Sequence, residues 1–198
     1  MPYKKELRYI FFIFLILAAL FSVSVLIVTM HISKENMFKY KYFEIDKPFP
    51  YEVCAIENVE KIVDNTYVEI PENVNVILES AFVGYHIQRV NLNNVRIVLP
   101  NAFNGTMIYD LNLSNVEEIY SFAFSWNNLE KLEIPETVKY IDSCAFYSNK
   151  DLKEVYFYGS PEIEGAIFDS YNLTIYGEKG STAEKYAIEY GYKFIEIE

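Results

Sequence analysis

The residues best suited to chemistry are few: two histidines, His31 and His86, and two cysteines, Cys54 and Cys144. Imidazole has its ordinary pKa near neutrality, so general acid–base work would fall to it first. Neither histidine has a sequence neighbour that completes a triad or a metal motif. Carboxylates are plentiful, and a pair such as Glu117-Glu118 invites an acid–base role. In a chain with 28 of them, such pairs read as solvated surface. The sequons at Asn104, Asn112 and Asn172 would accept glycans in a eukaryotic secretory pathway, but a chain this rich in asparagine yields such triplets by chance. No catalytic residue, cofactor or metal site is assigned, no small-molecule substrate is expected, and the chain reads as a non-enzyme.

Charge narrows the partners. Residues 53–198 carry 23 acidic and 10 basic side chains, a net of −13, whereas residues 31–52 balance at four and four. Phosphate binding needs clustered Lys and Arg, so the acidic region excludes nucleic acid and anionic lipid surfaces as partners.

The elements that must position these residues follow a ruler. Phe82, Phe103, Phe124, Phe146 and Phe168 stand 21, 21, 22 and 22 residues apart. Eight residues before the first four stand Val74, Val95, Val116 and Val138, with Ser160 in the fifth copy. Five before come Ile77, Val98, Ile119, Ile141 and Ile163, and immediately before come Ala81, Ala102, Ala123, Ala145 and Ile167. After the phenylalanine, four copies read as L-x-x-L-x-L: Ile87-Val90-Leu92, Ile108-Leu111-Leu113, Leu129-Leu132-Ile134 and Leu152-Val155-Phe157. The fifth departs, as Leu173 and Ile175 lead into Tyr176-Gly177. An apolar pattern of this kind, recurring every 20–29 residues, marks leucine-rich repeats in which each copy gives one short parallel strand. One unit cannot bury its own apolar edge, so copies stack and like residues form internal ladders. The small alanine suits the tight bend beside each phenylalanine.

The segment Ile134-Pro135-Glu136-Thr137-Val138-Lys139-Tyr140-Ile141-Asp142-Ser143-Cys144-Ala145-Phe146 resembles the BspA-like leucine-rich repeat family of microbial surface proteins. The stretch from Leu173 to Ala187 is similar to the end cap of many bacterial members. The resemblance covers roughly residues 66–198 and implies a surface-exposed binding or adhesion protein without a catalytic motif.

The fold class expected is an α/β-type repeat solenoid: about five leucine-rich repeats of 21–23 residues with short parallel strands, a C-terminal helix–strand cap and one preceding transmembrane helix. Residues 66–178 form the solenoid. Residues 179–198 form the cap, in which Ser181-Thr182-Ala183-Glu184 reads as a capping box, Gly191 as a stop and Tyr192–Ile197 as an edge strand. Residues 53–65, with Val53, Ile56, Val59 and Ile62 at helix-like spacing, read as an N-terminal cap, followed by a first strand at Val68-Glu69-Ile70. Coils separate Cys54 from Cys144 by over ~14 Å, at about 4.8 Å per strand. A disulfide needs Cα atoms within roughly 7 Å, so both read as free thiols, Cys144 as a small buried residue.

Ile10–Met30 is a 21-residue run without a charge, long enough to span the hydrocarbon core as a helix. Its length and poor cleavage signals read as an uncleaved signal anchor, the alternative being secretion after cleavage. Residues 1–9 then form a cytoplasmic tail and 31–52 a stalk. Basic residues nearly balance across the span, and long domains translocate regardless of such counts, so the solenoid is placed outside the cell.

A partner is expected on the strand face: Arg89, Asn91 and Asn93; Asp110, Asn112 and Ser114; Lys131 and Glu133; Glu154, Tyr156 and Tyr158. Tyrosine and arginine are enriched at interface hot spots. Two functions fit: a membrane-anchored module binding a protein or glycan ligand, and a structural or sensing ectodomain that self-associates or works with a membrane partner.

Overall fold

The computed structural model describes residues 38–43, 53–59 and 67–197, with side chains placed from Tyr67 onward. The expected transmembrane span, tail and most of the stalk lie outside the described residues. Among the described residues no helix is long and apolar enough to cross a membrane.

Residues 67–197 form a succession of short strands wound into coils. On one side stand β1 (Phe38–Phe43), β2 (Val53–Val59), β4 (Val76–Ile77), β6 (Ile97–Val98), β8 (Glu118–Ile119), β10 (Tyr140–Ile141) and β12 (Glu162–Ile163), in that order in one seven-stranded sheet. On the other side stand β3 (Tyr67–Glu69), β5 (Arg89–Asn91) and β7 (Asp110–Asn112) in a three-stranded sheet. A separate four-stranded sheet holds β9 (Lys131–Ile134), β11 (Glu154–Phe157), β13 (Thr174–Gly177) and β14 (Lys193–Glu196). From β2 onward neighbours are parallel and paired at the repeat spacing: Ile77 faces Val98, Val98 faces Ile119, and Ile119 faces Ile141. Each coil thus contributes two strands, where the L-x-x-L-x-L pattern alone predicts one. The second comes from the β-branched column, whose stiff side chains suit a pleated surface.

Residues 53–65 were expected to pack as a helical cap, but Val53–Val59 is a strand, with Ala55 and Ile56 paired to Val76 and Ile77. Val53 and Ile56 lie 21 residues before Val74 and Ile77, so the repeat register overrides a spacing that also suits a helix.

The phenylalanine column is buried throughout. Its rings stack with centroids 4.6, 5.3, 5.6 and 5.8 Å apart from Phe82 to Phe168. The bends that carry them are also bonded coil to coil. The N–H of Phe82 donates to Ala102 O, that of Phe103 to Ala123 O and that of Phe124 to Ala145 O, each at 2.8 Å. The first four bends are each closed by two left-handed residues, two before and two after the phenylalanine. The first column is Ser80, Asn101, Phe122 and Cys144, with φ of 57–60°; the second is Gly84, Gly105, Trp126 and Ser148, with φ of 56–73°. Such backbone is routine for glycine and costs a β-carbon residue roughly 1–2 kcal/mol. Cys144 is therefore half-buried at a bend rather than a filler of the core, as the column alone implied. Burial and the nearby charges of Asp142 and Asp169 push its thiol pKa up. Cys54 on β2 lies four strands from β10, so the two cysteines cannot meet.

The C-terminal cap forms as expected. Helix α1 (Thr182–Tyr190) starts at Ser181, whose Oγ accepts the Glu184 N–H, and stops at Gly191, with φ 74°. The Glu184 carboxylate accepts the Gly180 N–H at 2.6 Å. Tyr186, on the helix, ends the phenylalanine stack edge-on, 6.0 Å from Phe168. Its hydroxyl oxygen accepts the N–H groups of Ile167 and Phe168, at 2.9 and 3.3 Å.

Two outcomes follow from this packing. Phe124→Ala, in mid-stack, should cost about 3–5 kcal/mol and melt most of the solenoid; a melting curve matching the parent would contradict the ladder. Burial raises the Tyr186 pKa above its ordinary value, and burial also pushes Tyr120 and Tyr140 up to about 12. Free tyrosines ionise near ~10, so above that pH the unfolded chain sheds protons that the native state keeps. Stability is then complete below about pH 10 and falls as pH rises toward about 12. Denaturant titrations at stepped alkaline pH will show it; midpoints that stay level to pH ~11.5 would contradict it.

Candidate functional site

Strand alternation decides which side chains leave the solenoid. In β5, β9 and β11 the residues Val90, Leu132 and Val155 turn inward and are buried, so their neighbours point out. All eleven expected face residues accordingly lie on this side or at its strand ends, but they do not play one role.

Four are committed to the turns that end their strands. Asn91 Oδ1 accepts the Asn93 N–H at 3.1 Å, and Asn112 Oδ1 accepts the Ser114 N–H at 2.9 Å. The Asn93 amide reaches back 2.5 Å to Ile70 O, binding its coil to the preceding one. Asn and Ser favour such local bonds, which stop a strand and fix the turn. These residues shape the face rather than wait for a ligand.

The charged and aromatic members form two clusters. Arg89 sits over the Tyr67 ring, 5.5 Å from its centroid. In the next sheet, Lys131 Nζ is 2.6 Å from Glu133 Oε1 and 4.6 Å from the Tyr156 ring centroid. The hydrogen bond to Glu133 pushes the Lys131 pKa up. Tyr156 stacks on Tyr176 at 4.2 Å with planes 6° apart, because β11 and β13 bring the two into register. Glu154 lies within 3.4 Å of both tyrosine hydroxyls. Tyr158 stands beside them, 43% exposed.

Between the clusters the face is broken. The rung that joins one coil to the next elsewhere runs from Tyr109 N to Gln88 O (3.0 Å), from Lys153 N to Glu130 O (2.9 Å) and from Thr174 N to Lys153 O (2.8 Å). Among the described residues no bond runs from Glu130 N to Tyr109 O, and β7 and β9 belong to different sheets. A groove of about 620 Å³ opens there, lined by Asp110, Asn112, Ser114, Lys131, Glu133 and Tyr158 together with Tyr109, Leu111 and Glu130. Leu111 is only partly covered, whereas the same column is buried at Val90, Leu132 and Val155. The opening is closed at both ends: Asn128 N donates to Ile108 O at 2.8 Å, and Thr137 Oγ1 donates to Ser114 O at 3.1 Å.

A buried polar column supports the groove from behind. Asn127 Oδ1 accepts from Thr106 Oγ1 at 2.8 Å and from the Ile108 N–H at 2.7 Å, and its amide donates to Phe103 O at 2.8 Å. Asn149 repeats the motif one coil on, accepting from Leu129 N–H and donating to Phe124 O and Phe146 O. These bonds hold the segments that enter β7, β9 and β11.

Residues 59–174 match the family model described as a BspA type leucine-rich repeat region, in six copies. The chain belongs to the BspA-type leucine-rich repeat family. No curated protein and no solved structure matches it. The six BspA-type copies exceed the five that the phenylalanine ruler marks.

Sequence reasoning passed over Tyr109, Glu130 and Tyr176. The first two precede the strands rather than alternate within them, and Tyr176 belongs to the copy that breaks the L-x-x-L-x-L pattern. A tyrosine at 156 and another 20 residues on was the available signal for the stack. His86 is exposed on a turn, and His31 lies outside the described residues. Asn127→Ala should destabilise the solenoid by about 1–3 kcal/mol, as it orphans the buried Ile108 N–H while Thr106 Oγ1 and Phe103 O keep each other. Urea unfolding measures this; a loss under ~0.5 kcal/mol, the level of an ordinary surface change, would contradict the role given to Asn127.

Proposed function

We propose that this chain is a single-pass membrane protein that holds its BspA-type solenoid outside the cell and binds a protein, or a glycan, through the interrupted strand face. The anchor is Ile10–Met30, whose charge-free length suits a bilayer span, with the short N-terminal tail inside. The observation that carries the binding role is the break itself. It places a groove between an arginine–tyrosine pair and a lysine–tyrosine–tyrosine stack on the face formed by the three- and four-residue strands. Leucine-rich solenoids serve as binding scaffolds because their curvature spreads contact residues over an extended surface. No catalysis is assigned.

Two measurements on the full chain test this reading. Protease added to intact cells should remove the solenoid while leaving a membrane-embedded fragment that resists carbonate extraction; release of the whole chain by carbonate would overturn the anchor. The double change Tyr156→Ala and Tyr158→Ala should weaken binding of a partner cross-linked on intact cells by tenfold or more, as for interface tyrosines, with the melting temperature held. Unchanged binding would overturn the face, and loss of binding on glycosidase treatment of the partner would assign the ligand as glycan.

A further inference from the structure

Tyr109 O and Glu130 N, the two groups that the missing rung leaves unpaired, belong to exposed residues at the facing edges of β7 and β9. Unpaired strand edges are templates for another strand, and edge pairing is a recurrent way to take up an extended peptide. The opening runs from the Ile108–Asn128 tie to the Ser114–Thr137 tie. The five residues between the ties, Tyr109–Leu113, cover about 16 Å at ~3.3 Å each, the length of a short extended stretch.

Charge selects the kind of segment. Neither cation of the face is free to pair across the break: Arg89 lies over Tyr67 one coil away, and Lys131, on the groove wall, is engaged by Glu133 and Tyr156. Asp110 occupies the strand position that Arg89 holds one coil before and Lys131 holds one coil after. Lys131 is not its partner, and among the described residues Asp110 has no ion pair. Glu130 adds a second carboxylate to the same groove. An opposite charge placed across a strand pair is stabilising, a like one destabilising.

We propose that the opening between β7 and β9 receives an extended segment of a partner protein that carries a lysine or arginine opposite Asp110 and Glu130. One N–H of that segment donates to Tyr109 O, and a neighbouring carbonyl accepts the Glu130 N–H, which restores the interrupted rung. This inference rests on the strand face being the binding surface.

The test uses the full chain in detergent and three capped eight-residue peptides, with binding read by calorimetry. One alternates lysine with threonine, one alternates glutamate with threonine, and one is the lysine peptide with alternate amides N-methylated. The lysine peptide should bind saturably, the glutamate peptide should not, and N-methylation should weaken binding by tenfold or more. The double change Asp110→Asn and Glu130→Gln, with unchanged melting, should weaken the lysine peptide by a similar factor. Equal binding of the N-methylated peptide, or no saturable binding of the lysine peptide, would overturn the strand mode. A peptide that is indifferent to N-methylation but lost with Tyr158→Ala overturns this inference alone and leaves the strand face standing.

Discussion

The bond from a phenylalanine N–H to the carbonyl just before the next coil's phenylalanine, an alanine in three cases and Ile167 in a fourth, is the constraint on which the rest of the solenoid depends. It sets the coil-to-coil distance at the one point where backbone and side chain are both stacked. The phenylalanine ring then fills the space that the short bend leaves. Two left-handed residues bring the chain in and out of that bend. With the bends locked, the β-branched column falls into register as a continuous sheet of two-residue strands, shorter than any that would hold alone.

That division of labour explains how the opposite face tolerates a break. The stack is carried by the phenylalanine bends and the seven-stranded sheet, both unbroken between the coils of Phe103 and Phe124. The L-x-x-L-x-L face is thereby freed from holding the coils together. It can give up a rung and leave Leu111 partly uncovered without losing the fold, while Asn127 and the two end ties keep the edges of the opening in place.

The architecture was legible because stacking forces like residues into columns, and columns survive in a linear text. The ring ladder, the alanine beside it and the capping box at Ser181 all carried through to the structure. The second strand of each coil was hidden because two residues make no periodic signal of their own. Glu60-Lys61 stands where an Ala-Phe pair would mark another coil, so the ruler lost its first division. The groove was unreadable for a different reason. Leu111 matches its column, Asp110 and Lys131 sit at the usual strand position, and the missing rung is a backbone bond that no side chain records. Tyr176 fell in the divergent copy, so its stacking on Tyr156 emerged only from the pairing of β11 with β13.

The bends donate in one direction only, from each coil to the one that follows. In the bend column, though not in the strands, where Leu99 N and Tyr120 N donate back to Ile77 O and Val98 O, this leaves acceptors at the leading edge and donors at the trailing one. Left bare, such ends are complementary, and copies could add head to tail without closing into a ring. The Tyr186 hydroxyl occupies the last donors at Ile167 and Phe168, and α1 covers the final ring. The terminal helix thus closes the bend column within one chain, and a single phenolic oxygen supplies the acceptor that a further coil would otherwise bring.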